Sequence, residues 1–167
     1  MKGFLLLEAL LTMIVIAVAL VALNAALIMM VKSNAAGEAS VVSTQISQRM
    51  LEEIRLRRWD ENTPIPSSYI KNPSAIGLDA GESASDKRTF DDIDDFQGWT
   101  ESPPRDPVMN VLSAFDDYAT SVTLRYVDGT TLDSVPPGTK TDFKAITACS
   151  WRRQRKSICL DTIMTNR

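Results

Sequence analysis

Four aspartates fall within five residues, at Asp91, Asp92, Asp94 and Asp95, among the apolar side chains of Phe90, Ile93, Phe96 and Trp99. Carboxylates this close repel one another, and a hard cation such as calcium relieves that repulsion. The spacing departs from an EF-hand loop, in which the glycine and the closing glutamate stand elsewhere. A solvated loop pinned by the four apolar residues is therefore the leading reading, and calcium the lesser one. Cys149 and Cys159 flank the segment from Trp151 to Ser157. A turn centred near Gln154 would set them opposite each other within disulfide reach, leaving one disulfide or two buried thiols as the alternatives. Arg152, Arg153, Arg155 and Lys156 crowd the same turn. A solvated tip that discourages edge pairing comes first, docking onto an acidic protein surface second, and DNA or anionic headgroups third. The last chemically loaded residue is Glu8, a carboxylate at the head of an apolar run. It is either a functional group, since an uncompensated charge in lipid costs several kcal/mol (about 2.5–3.5 by insertion scales), or a side chain at headgroup depth that snorkels to water.

Other chemistry is excluded by composition. The chain of 167 residues has no histidine, which removes Ser-His-Asp and Cys-His pairs and every histidine metal site. Two cysteines are too few for a thiolate metal cage. No nucleophile stands beside a base and no phosphate loop is present, so neither an enzyme nor a cofactor is expected. With 18 basic against 21 acidic residues and a net charge of -3, nucleic acid is an unfavoured partner.

The elements that must position these residues follow from periodicity. Ala9 to Val31 is a run of 23 uncharged residues, roughly 35 Å of helix against a hydrocarbon core of about 30 Å. That run is longer than a signal-peptide core, and Lys2 and Lys32 at its two ends give little orientation. Beyond it Ala39, Val42, Ile46, Met50, Leu51 and Ile54 form an apolar stripe, with Gln45, Gln48, Arg49, Glu52, Glu53 and Arg55 on the rest of the wheel. One helix is predicted from about residue 4 to about 58, with a bend allowed at Gly37. All eight prolines follow it, beginning with Pro64 and Pro66, so residues 59–115 read as a long irregular connection. The period then changes to two. Val122, Leu124 and Tyr126 alternate with Ser121, Thr123 and Arg125 up to a turn at Asp128-Gly129; Phe143 to Trp151 alternates again, and Ser157 to Thr165 supplies a last strand. The fold class is α+β: a long N-terminal helix whose second half (32–58) covers a small antiparallel sheet within residues 116–167.

The segment Gly3-Phe4-Leu5-Leu6-Leu7-Glu8 and the apolar helix behind it resemble the N-terminus of type IV pilins and pseudopilins. The resemblance implies a pilin-like fold, a leader of residues 1–3, a cut after Gly3 by a prepilin peptidase, and N-methylation of the new terminus at Phe4. Residues 4–31 become the membrane and assembly segment. Glu8, four residues beyond Phe4, takes the place of the family's glutamate, which meets the N-terminal amine of a neighbouring subunit. Leu5 replaces the family's usual threonine, and no glycine or proline interrupts the helix between Phe4 and Gly37. Further stretches, Arg58 to Pro64, Leu78 to Glu82, Thr89 to Trp99 and Leu160 to Ile163, are similar to minor pilins of the mannose-sensitive haemagglutinin (MSHA) pilus. The basic hairpin with its cysteines departs from that group.

What the resemblance implies is a minor structural subunit that helps pilus assembly or adhesion, held in the bacterial inner membrane and then carried in a surface filament. Its partners would be other pilin subunits, the prepilin peptidase, the inner-membrane assembly platform and membrane lipid. Two alternatives stand beside it: a pseudopilin of a type II secretion or DNA-uptake machine, and a single-pass anchored binding domain with no dependence on Glu8.

Overall fold

The computed structural model describes residues 2–63, 68–153 and 157–166, with side chains from residue 7 onward. Pro64, Pro66, Gln154, Arg155 and Lys156 lie outside the described residues, as do the side-chain environments at Gly3 and Phe4. Helix α1 runs Lys2–Arg55 and is helical through Gly37. Four strands follow, β1 Thr100–Glu101, β2 Tyr118–Tyr126, β3 Phe143–Arg152 and β4 Ile158–Thr165. The chain divides into two compact units, residues 1–39 and 40–167.

The second unit is α+β. Its strands form an antiparallel meander in the order β1-β2-β3-β4, and residues 40–55 of α1 pack on it. Buried positions on that helical stretch are Ser43, Ile46, Ser47, Met50, Leu51, Glu53 and Ile54, a stripe at three- and four-residue spacing. Small Ser47 lets the helix approach β4, and its hydroxyl donates to the Ile158 carbonyl at 3.3 Å. Arg55 donates to Thr162 Oγ1 at 2.8 Å. Eight residues of helix and four of strand each span about 12–13 Å, so the helix and β4 run side by side in the same direction.

The helix stops at Arg55, three residues short of the expected end. Leu56 and Arg57 donate back to the carbonyls of Glu53 and Ile54, which tightens the last turn. Arg58 then leaves the helical path because its backbone is taken by a bridge to Asp92: its amide donates to the Asp91 carbonyl and its carbonyl accepts from the Ile93 amide.

Among the described residues of 59–115 are β1 and three single-turn 3-10 helices, Lys87–Thr89, Asp94–Phe96 and Ser113–Phe115. They supply much of the core. Trp59, Ile70, Phe90, Ile93, Phe96 and Trp99 are buried against Met50, Leu51 and Ile54 of the helix and Val122, Leu124, Tyr126, Ile146 and Ala148 of the sheet. Phe90 packs edge-on to Phe96 at 5.0 Å and to Trp99 at 5.2 Å between ring centroids. Full burial of such a side chain is worth about 1.5–3 kcal/mol, so the connection is fastened by its aromatics.

Candidate functional site

The first unit is the apolar helix by itself. Its large apolar side chains from Leu7 to Val31 stand open, Leu7 at 59%, Val21 at 71% and Val31 at 68% exposure. The helix is long and apolar enough to cross a membrane. Thr12 is compatible with that setting because its hydroxyl donates to the Ala9 carbonyl at 2.9 Å. Glu8 is exposed and is the sole charged residue between Leu7 and Val31.

In the second unit the four aspartates diverge into two sites. Asp94 turns inward to Lys144 on β3, 2.6 Å from its ammonium. Lys144 is fully buried; it also donates to the Trp59 carbonyl at 2.9 Å, lies 3.5 Å from Asp60, and sits 3.9 Å from the centroid of the Trp59 ring. Asp60 is bound in turn by the Asn62 amide at 3.0 Å and by Ser74 through its amide at 2.6 Å and hydroxyl at 2.9 Å. Burial raises the Asp60 pKa, but these hydrogen bonds and Lys144 outweigh it and hold the carboxyl below its ordinary range. A second buried lysine, Lys87, joins Glu53 of α1 at 3.0 Å to Glu101 of β1 at 2.7 Å. Two ammonium groups thus tie the irregular segment to the helix and the sheet.

Asp91, Asp92 and Asp95 stay together and are joined by Glu61 and Glu82. Carboxylate oxygens of Glu61, Asp91 and Asp92 lie within 4.8 Å of one another, as do those of Glu82, Asp91 and Asp95. Asp91 is common to both groups. Arg58 pairs with Asp91 and, at 3.4 Å, with Glu61. The leading expectation of a solvated loop is corrected here: Asp92 and Asp95 are buried, at 0% and 2% exposure, because their neighbours Phe90, Ile93 and Phe96 enter the core and carry the backbone with them. Backbone amides compensate in part. Asp95 Oδ2 accepts from the amides of Asp91 and Asp92 at 3.0 and 3.1 Å, and Asp92 Oδ1 from that of Asp94 at 2.6 Å. Asp92 Oδ2 and Asp95 Oδ1 accept no hydrogen bond from an amide, hydroxyl or cation, and Asp95 has only the Glu82 carboxyl beside it.

Burial, with Asp94 beside it, pushes the Asp92 carboxyl up to about 7, Lys144 pulling the other way and Asp60 adding to the rise. Burial, with the Glu82 carboxyl beside it and Asp92 near, pushes Asp95 up to about 8. Both groups hold protons in the folded chain that an unfolded carboxyl gives up near 3.8. Their contribution to stability is complete below that value and is lost as pH rises through about 7 to 8. In chelating buffer the melting temperature should therefore fall between pH 5 and pH 8.5, read by thermal circular dichroism of the chain in detergent micelles. A flat or rising profile would contradict this assignment.

On the last hairpin Cys149 and Cys159 face each other in register and are joined by a disulfide, with Cα atoms 4.0 Å apart. Of the four basic residues, Arg152 is paired with Asp117 at 3.3 Å and lies 5.9 Å from the Tyr118 ring, while Arg153 is exposed. Lys87, Lys144, Glu53, Asp60, Glu61, Glu82 and Glu101 escaped the sequence reading. The available signal was Lys144 standing in register with Ile146 and Ala148 on one face of β3. No protein-family model matches the chain, and no curated protein or solved structure matches it.

Proposed function

We propose that this chain is a type IV pilin-like subunit, a minor pilin of the MSHA type, cut after Gly3 by a prepilin peptidase and packed into a filament through α1. The observation that carries the reading is an apolar helix, open along residues 7–31, whose one carboxylate is Glu8. Such a surface is stable only in lipid or against other apolar helices. Within a bundle of these helices Glu8 needs a cation, and the amine freed at Phe4, about one helical turn away in sequence, supplies one on a neighbouring copy. That pairing would fix the axial register of subunits. The α+β second unit, a helix lying on an antiparallel meander, agrees with a pilin head.

Processing is the test. A Gly3→Val variant should accumulate as uncut precursor and be absent from filaments sheared off the cell surface. Recovery of that variant from filaments at the level of the parent chain would sink the proposal.

A further inference from the structure

We infer that the carboxylates converging on Asp91 form a binding site for a calcium-class divalent cation, with Asp92 and Asp95 as its buried floor and Glu61, Glu82 and Asp91 at its mouth. Two triads of oxygens, each within 4.8 Å, share Asp91 and so bring four other carboxylates to one residue. Convergence of acids alone would not carry the point. The second observation is the pair of orphaned oxygens, Asp92 Oδ2 and Asp95 Oδ1, on side chains that are 0% and 2% exposed. A buried carboxylate oxygen without a donor carries its desolvation penalty uncompensated, and here both belong to members of the converging set. The remaining oxygen of each already accepts backbone amides. What the set lacks is positive charge: among the described residues Arg58 is the side chain paired with it, reaching Asp91 and Glu61 at the exposed edge.

The donor chemistry selects the ion. All ligands are oxygens, the chain has no histidine, and both cysteines are tied in the disulfide, which disfavours zinc and softer metals. Two overlapping carboxylate triads, without the strict geometry magnesium demands, suit the six to eight oxygens of calcium better than the tight octahedron of magnesium. Glu61 and Asp91 are exposed and Glu82 half-buried, so an ion can enter from solvent. Bound there, it would fasten the exit of α1 at Glu61 to the Glu82 turn and to the 91–95 segment. This inference does not depend on which membrane assembly the N-terminal helix joins.

The test uses the full chain in a non-ionic detergent. Calcium chloride titrated into chelator-stripped protein should give a saturable calorimetric signal. At about 100-fold excess over Kd the melting temperature should rise by roughly 5–10 °C. Asp91→Asn removes the shared ligand at an exposed position and should abolish both effects. Glu82→Gln is a second variant that should weaken them, and Glu52→Gln, on the exposed helix face, should leave them intact. No calcium-dependent signal in the parent chain, an undiminished signal in both Asp91→Asn and Glu82→Gln, or an equal response to magnesium would each overturn the inference.

Discussion

Lys144→Met should destabilise the folded chain by about 3–5 kcal/mol, the loss expected when one partner of a buried charge pair is removed. The ammonium is fully buried, bound by Asp94 at 2.6 Å, the Trp59 carbonyl at 2.9 Å and Asp60 at 3.5 Å. Methionine fills a similar volume, so the cost is electrostatic: Asp94 and Asp60 are left with no cation inside the core. The same substitution also loosens Trp59, whose ring lies 3.9 Å from the ammonium and whose carbonyl holds the chain just past the end of α1. Chemical denaturation of the variant in micelles measures the effect. The double variant Lys144→Met with Asp94→Asn should recover part of the loss, since it removes one stranded carboxylate. A loss below about 1 kcal/mol in the single variant would mean that the pair contributes no more than a surface salt bridge.

Glu8→Leu should leave membrane insertion intact and reduce incorporation into filaments at least tenfold. Leucine is favourable in the apolar run, whereas glutamate there is costly without a partner. If the cost is offset only when Glu8 meets the Phe4 amine of another copy, the pairing stabilises assembly and not insertion. Removing one member of a desolvated charge pair costs about 2–5 kcal/mol, and 1.4 kcal/mol already corresponds to a factor of ten. Subunit recovered from sheared filaments, normalised to subunit in the membrane, gives the ratio. Unchanged incorporation would favour a simple anchored domain, which has no use for this carboxylate.

The helix and its stripe were legible in the sequence because Ile46, Met50, Leu51 and Ile54 repeat with helical period, and burial follows that period. The strands were legible from alternation, most cleanly in β2, where Tyr118, Thr120, Val122, Leu124 and Tyr126 all face inward. In β3 both alternating sets are partly apolar. The inner set proved to be Lys144, Ile146, Ala148 and Ser150, while Thr147, Cys149 and Trp151 are half-buried. A lysine marks a strand position as solvent-facing unless its partners are known, and those of Lys144 come from 50 and 84 residues away in the sequence. The same limit hid the carboxylate cluster. Asp91, Asp92 and Asp95 were visible together, but Glu61 and Glu82 reach them through tertiary structure, and Asp94, adjacent in sequence, belongs to a different site. A list of neighbouring acids does not say which of them share a point in space.

In the proposed function α1 begins as a processed pilin terminus. Mass spectrometry of the N-terminal peptide from protein recovered from its native membrane tests it most directly. The expected result is a chain beginning at Phe4 with an N-methylated amine. A chain still beginning at Met1, or one cut at a position other than Gly3, would contradict it and leave an anchored or secreted domain in its place.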